Sequence, residues 1–264
     1  KNVDMACKAF YNLTGINPTF GGSHVNRGTK NYLVNIGGNK YLELIGLDDM
    51  QNVEEIVKTK GKKAISFGVY DMTPTESKVS TFACVTPNLV ETANNSPWVG
   101  KPFSMSRKTP EGDTLNWSLA VQHNNNPEKY SSIYPFFIDW TEVYKQDLHP
   151  AKTSAAGCRL ITLIVEAQDP TKYNEGLYYS GVGEAIFANN TVSVCKSDNE
   201  RDRLIMVLDT PNGVISISDN LLHMLKQQHE NWGWQEYVAP NVSAYKGVYR
   251  PYDKTQISTK ANEI

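Results

Sequence analysis

Residues of the types that move protons, bind metals or hold anions gather in four stretches of the 264-residue chain. The first is Gly21-Gly22-Ser23-His24 with Arg27-Gly28-Thr29. Glycines flanking a histidine and an arginine, read as a loop ahead of a strand, offer backbone N–H groups and a guanidinium to an anion. A turn of solvated polar residues is the other reading. The second stretch is Tyr41-Leu42-Glu43-Leu44-Ile45. Strand alternation puts Glu43 on one face with Tyr41 and Ile45, and Leu42 and Leu44 on the other. A carboxylate in so apolar a strand is paired, hydrogen-bonded or metal-bound if it points inward, and solvated if it lies on an edge.

The third stretch is Phe103-Ser104-Met105-Ser106-Arg107, followed by an apolar run around Trp117. The fourth is Pro135-Phe136-Phe137-Ile138-Asp139-Trp140, followed by His149-Pro150-Ala151. Arg107 and Asp139 either pair or contact a ligand. His149 is open to three roles: base, metal ligand or hydrogen-bonding loop residue. The remaining histidines carry less. His123 lies in an Asn-rich loop, and His223 and His229 are too far apart on a helix to share a face.

Several chemistries are disfavoured. The chain has no HExxH, GxSxG, P-loop or GxGxxG signature. Its net charge of −2 leaves no positive excess for neutralising phosphates, so nucleic acid is not the expected partner. No apolar run approaches the ~18 residues of a membrane-spanning helix, so no membrane partner is expected. Cys7, Cys84, Cys158 and Cys195 are widely spaced and form no CxxC pair. This favours free thiols in a reducing, cytoplasmic setting.

The elements that must position these residues read as a mixture of strands and helices. A helix is expected over 3–13, with Val3, Cys7, Phe10 and Tyr11 on one face and Gly15 as its stop. Strands are expected over 31–36 and 41–47 around a Gly-Gly-Asn turn, then a polar helix over 52–60. The order strand, helix, several strands then recurs: 79–86, 87–94, 114–121 and 133–140, and again 159–166, 169–176, 185–187, 191–195, 204–208 and 213–218. An amphipathic helix is expected over 220–229, and an aromatic extension with Trp232 and Trp234 wraps the body over 231–264. The expected fold is α+β, with repeated βαβββ modules whose curved mixed sheets surround a cleft. Residues 1–150 form the paired modules, 151–218 a further module packed on them, and 219–264 the extension.

The ordered set of motifs resembles the glyoxalase-like domain family of the vicinal-oxygen-chelate superfamily. It comprises Gly22-Ser23-His24 with Arg27-Gly28-Thr29-Lys30-Asn31, Tyr41-Leu42-Glu43-Leu44-Ile45, and Met105-Ser106-Arg107 with Leu115 to Trp117. It continues with Phe136-Phe137-Ile138-Asp139-Trp140, His149-Pro150-Ala151, and Asp209-Thr210-Pro211-Asn212-Gly213. The resemblance implies paired βαβββ modules around a small-molecule cleft that in many members holds a divalent metal. It also implies a strand with an Asp-His pair ahead of the first helix, whereas this sequence opens directly on the helix. Glu43 is then the one visible candidate for a metal ligand, too few for a standard centre.

The implied activity is on a small oxygenated molecule, of lyase, isomerase or dioxygenase type. Glu43, His24 and His149 would be catalytic. Arg27, Ser106, Arg107, Trp117, Asp139 and Trp140 would bind substrate. A non-catalytic binder that sequesters a small molecule, with its cleft shared in a homodimer, is the alternative. A scaffold that uses the aromatic extension is a third reading.

Overall fold

Asn2 starts the first helix: its side chain accepts from the Met5 N–H, supplying a partner for a helix-start donor that has none within the helix. The helix, α1, spans Val3–Thr14 and stops at Gly15, whose φ of 75° is the left-handed conformation of a helix end. Its buried side is Val3, Cys7, Phe10 and Leu13, while Tyr11, expected on that side, is exposed. The computed structural model describes residues 1–24, 27–73, 77–109, 112–122, 133–187, 191–198 and 201–218. The helix expected over 220–229, the extension with Trp232 and Trp234, and His123, His223 and His229 lie outside the described residues.

Three sheets follow α1. The first is β1 (Thr19–His24), β2 (Thr29–Asn35) and β3 (Tyr41–Leu47), antiparallel in that order. The stretch expected as a loop around Gly21-Gly22-Ser23-His24 is therefore a strand. Glycine and serine carry little strand propensity, and here pairing to β2 overrides it. The β1–β2 register shifts between Phe20 and Gly22, leaving Gly21 as a bulge. A Cβ on Gly21 would come within 2.4 Å of Asn31 Oδ1, so only glycine fits.

The second sheet has the order β4-β7-β6-β5, built from β4 (Ala83–Val85), α3 (Leu89–Asn94), β5 (Phe103–Lys108), β6 (Thr114–Ala120) and β7 (Phe136–Asp139), with α2 (Met50–Lys60) lying earlier in the chain. β4 runs parallel to β7 and the other pairs are antiparallel. β5 was not expected from the sequence. Short helices α4 (Thr141–Lys145) and α5 (Pro150–Thr153) lead out of this sheet.

The third sheet has the order β11-β10-β8-β9. Its members are β8 (Arg159–Ala167), α6 (Pro170–Tyr179), α7 (Gly183–Phe187), β9 (Val192–Lys196), β10 (Arg203–Thr210) and β11 (Gly213–Ile217). The succession of elements repeats, but the wiring differs: β8 pairs with β9 in parallel and with β10 antiparallel. Residues 185–187, expected as a strand, end α7 instead. A three-residue apolar run fits either period, and burial of Ile186 on the helix side decides it.

The main core lies between α1, the inner face of the third sheet and α6, with Phe10, Leu13, Leu177 and Leu208 almost fully buried. A second cluster fills the space between the first two sheets, around Leu115, Trp117, Ile138 and Trp140. Asn212, at the β10–β11 turn, donates its side-chain amide to the Leu13 carbonyl and ties the third sheet to the end of α1. The four cysteines are free, and burial pushes the Cys7 thiol up to about 12 and the Cys158 thiol up to about 11. No helix among the described residues is long and apolar enough to cross a membrane.

Gly28 fixes the β1–β2 connection. Its φ is 63°, and a Cβ there would sit 2.5 Å from Ile65 Cδ1. Gly28→Ala combines left-handed strain with overpacking, so a loss of about 2–4 kcal/mol is expected in urea denaturation. A loss below about 1 kcal/mol would contradict this packing.

Candidate functional site

Alternation along the first sheet aims one set of side chains at the second sheet. From β2 these are Thr29, Asn31 and Leu33, and from β3 Tyr41, Glu43 and Ile45. The opposite phase, with Val34, Leu42 and Leu44, joins the core around α1. Across the gap, β5 contributes Phe103, Met105 and Arg107, β6 Leu115, Trp117 and Leu119, and β7 Phe136 and Ile138.

The two sheets meet at β1 and β5. There the buried Arg107 donates its guanidinium to the Gly21 carbonyl, the residue freed by the bulge. Arg27 lies at the same end, 5.7 Å from the centroid of the Phe103 ring. At the other end β3 and β4 are both sheet edges, and a cavity of about 500 Å³ opens between them, lined in part by Glu43, Trp140 and His149.

Three polar residues converge on the inner face of the first sheet. His24 Nε2 is 3.7 Å from Glu43 Oε1, and Asn31 Nδ2 donates to that same oxygen at 2.6 Å. His24 Nδ1 is 2.9 Å from Thr29 Oγ1. With Thr29 donating to Nδ1, the imidazole keeps its proton on Nε2, directed at the carboxylate. Burial lowers the His24 pKa below 6.5; Arg107 and Arg27 push the same way, and Glu43 and Asp48 oppose them. At neutral pH the arrangement is a neutral imidazole beside a carboxylate steadied by an amide. Asn31 was not singled out in the sequence. Its signal is its phase: between Thr29 and Leu33 on the buried face, an asparagine needs a partner.

The remaining candidates divide. Trp117 and Trp140 pack at 5.3 Å between centroids and form the apolar floor of the space between the sheets. His149 is buried, but its Nδ1 accepts from the Ala151 N–H and caps α5. Its ring stacks on Tyr144 and stands edge-on to Tyr41 and Trp140. Burial, with Lys152 adding to it, lowers the His149 pKa. Ser106 is exposed and in the opposite phase to Arg107, and Asp139 caps the turn at Thr141. Arg107 and Asp139 thus have separate partners, and neither Ser106 nor Asp139 joins His24 and Glu43.

A divalent metal in this cleft needs about three protein ligands. Among the described residues no group of three or more His, Cys, Asp or Glu comes together. His24 and Glu43 offer two donors, and the facing strands carry apolar side chains and the Arg107 guanidinium, which is not a metal donor. The described residues therefore do not fit a resident metal centre.

Comparison with known proteins places the chain more broadly. A family described as the glyoxalase-like domain matches residues 1–178. No curated protein sequence matches the chain. A crystal structure of a hypothetical protein from Staphylococcus aureus is similar, at 18% identity and a TM-score of 0.47, covering 77% of this chain and 76% of that one.

The electrostatics predict a titration. His24 and His149 both titrate below 6.5 in the folded chain, as read by histidine-ring NMR. Glu43→Gln lowers the His24 value further, because the carboxylate is the main influence raising it. Since the unfolded chain takes up protons first, stability is fully present above pH ~6.5 and falls as pH drops through the folded values. A His24 that titrates above 6.5 would contradict the assignment.

Proposed function

Because the chain belongs to the glyoxalase-like domain family, we propose that it catalyses proton transfer on a small oxygenated molecule, an isomerase- or lyase-type reaction at Glu43 and His24. The observation that carries this reading is the approach of His24 Nε2 to within 3.7 Å of Glu43 Oε1, with Asn31 holding the same oxygen. Two groups of opposite proton-transfer role share one half-buried corner, and Glu43 lines the cavity there.

The chemistry is proton abstraction beside a carbonyl. The Glu43 carboxylate takes the proton from the carbon next to the carbonyl. The electron pair moves to the carbonyl oxygen, which takes a proton from His24 Nε2. For a hydroxy-ketone, Glu43 then returns its proton to the neighbouring carbon. The other enediol oxygen reprotonates the imidazole, and electrons and protons balance without an oxidant. Arg27 and Arg107 place positive charge near the developing oxyanion. Asn31 limits the carboxylate to one orientation, and the tryptophan floor keeps that end of the cleft dry.

A binder without turnover is the second reading, favoured by the aromatic packing of Trp117 and Trp140. Dihydroxyacetone and pyruvate in D₂O separate the two. The catalytic reading predicts exchange of carbon-bound protons in the NMR spectrum for at least one probe. It also predicts a loss of about 100-fold or more in Glu43→Gln. Exchange that survives Glu43→Gln contradicts the assignment of the base. Tryptophan fluorescence quenching by a probe without any exchange identifies a binder.

A further inference from the structure

We propose that the outer face of the third sheet is a docking surface for the chain that follows β11, with the apolar side of residues 220–229 seated over Ile164, Ile205 and Val207.

The sheet is built to be covered twice. Leu160 to Val165 in β8 is apolar at all but one position, and Leu204 to Leu208 in β10 is apolar throughout. A sheet with one wet face alternates, whereas runs of this kind belong to strands buried on both faces. One face is accounted for. Leu163 and Val165 from β8, with Leu204, Met206 and Leu208 from β10, join the core that holds α1, α6 and α7. The alternate residues Ile164, Ile205 and Val207 face the other way and cluster with Ile161, Cys195 and Val214. Every member of that cluster comes from the sheet itself, and none of the described helices contributes to it.

These side chains are nevertheless dry. Ile164 is 3% exposed, Ile205 4% and Val207 6%, and Thr162 beside them is 0%. Ladder neighbours shield the flanks of a side chain and not its tip, so the cover comes from outside the described residues. The margins say what kind of cover it is. Glu166 pairs with Arg203, and Arg159 with Asp209. The face is thus an apolar centre between two neutralised pairs, which suits an apolar occupant and not a charged one.

Position and pattern select the occupant. β11 ends at Ile217, on the edge of this sheet. The stretch that follows, Asn220 to His229, carries Leu221, Leu222 and Leu225 on one helical side and His223 and Gln227 on the opposite side. Four strands span about 14 Å between their outer axes, and ten helical residues are about 15 Å long, so the sizes match. A segment joined to the sheet meets the face at an effective concentration of the order of millimolar, whereas a second copy must first overcome the entropy of association.

The test labels thiols on this face in the full-length chain. Val207→Cys places a thiol at its centre, and Cys195 stands at its margin. N-ethylmaleimide labelling is followed site by site by peptide mass spectrometry in three backgrounds: unmodified, Leu222→Glu with Leu225→Glu, and Gln227→Glu. Cys84, buried in the main core, stays unlabelled in every folded variant, and Cys195 alone gives the reading if Val207→Cys disturbs the fold. The expected result is slow labelling in the unmodified and Gln227→Glu chains, and labelling at least about tenfold faster in the double leucine variant. Protection stays the same over about a hundredfold range of protein concentration. Equal labelling in all three backgrounds overturns the proposal and leaves the face to a separate protein. Protection that grows with protein concentration also overturns it and makes the occupant a second copy. Neither result involves Glu43 or His24, so this inference stands or falls apart from the proposed function.

Discussion

The buried guanidinium of Arg107 holds the Gly21 carbonyl, and the relation of the first two sheets depends on that bond. A charge so far from water is tolerated only where acceptors surround it, and breaking such a contact costs several kcal/mol because the charge stays buried. The acceptor exists because the β1 bulge turns Gly21 out of the ladder, and the bulge exists because no side chain can fit over Asn31. One arginine thus joins β5 to β1, closes one end of the space between the sheets and leaves the other end open at β3 and β4.

This asymmetry places polar and apolar functions at opposite walls. The first sheet carries the polar cluster of His24, Asn31 and Glu43, each from a different strand. The second sheet carries the tryptophan floor. His24 stays neutral because burial and two guanidinium groups outweigh the carboxylate beside it. The third sheet takes no part in this corner. Its inner face buries α1, and Asn212 anchors it to the helix end.

Much of this was legible in the residues. The bounds of β3 follow from alternation alone, because Tyr41 to Leu47 is flanked by turn residues and has one charged side chain. The same alternation set Glu43 apart. β1 was illegible because Gly21, Gly22 and Ser23 favour turns, and what makes them a strand is distant: the β2 ladder and the Arg107 bond. Ser106 and Asp139 carry reactive types in a suggestive order, but strand phase turns Ser106 outward and a turn claims Asp139. His149 drew attention as a reactive type and proved to be a helix cap packed among aromatic rings. Pairing partners, which sequence order does not contain, separate the second unit from the third despite their equal succession of elements.

The central claim is that His24 is a neutral imidazole presenting Nε2–H to Glu43, with Nδ1 bonded to Thr29. The most direct measurement is a long-range nitrogen–proton correlation spectrum of the histidine rings at pH 7.5, which distinguishes the two tautomers and the cation. The account predicts a protonated Nε2 and an unprotonated Nδ1 for His24. A proton on Nδ1, or an imidazolium at that pH, would contradict it.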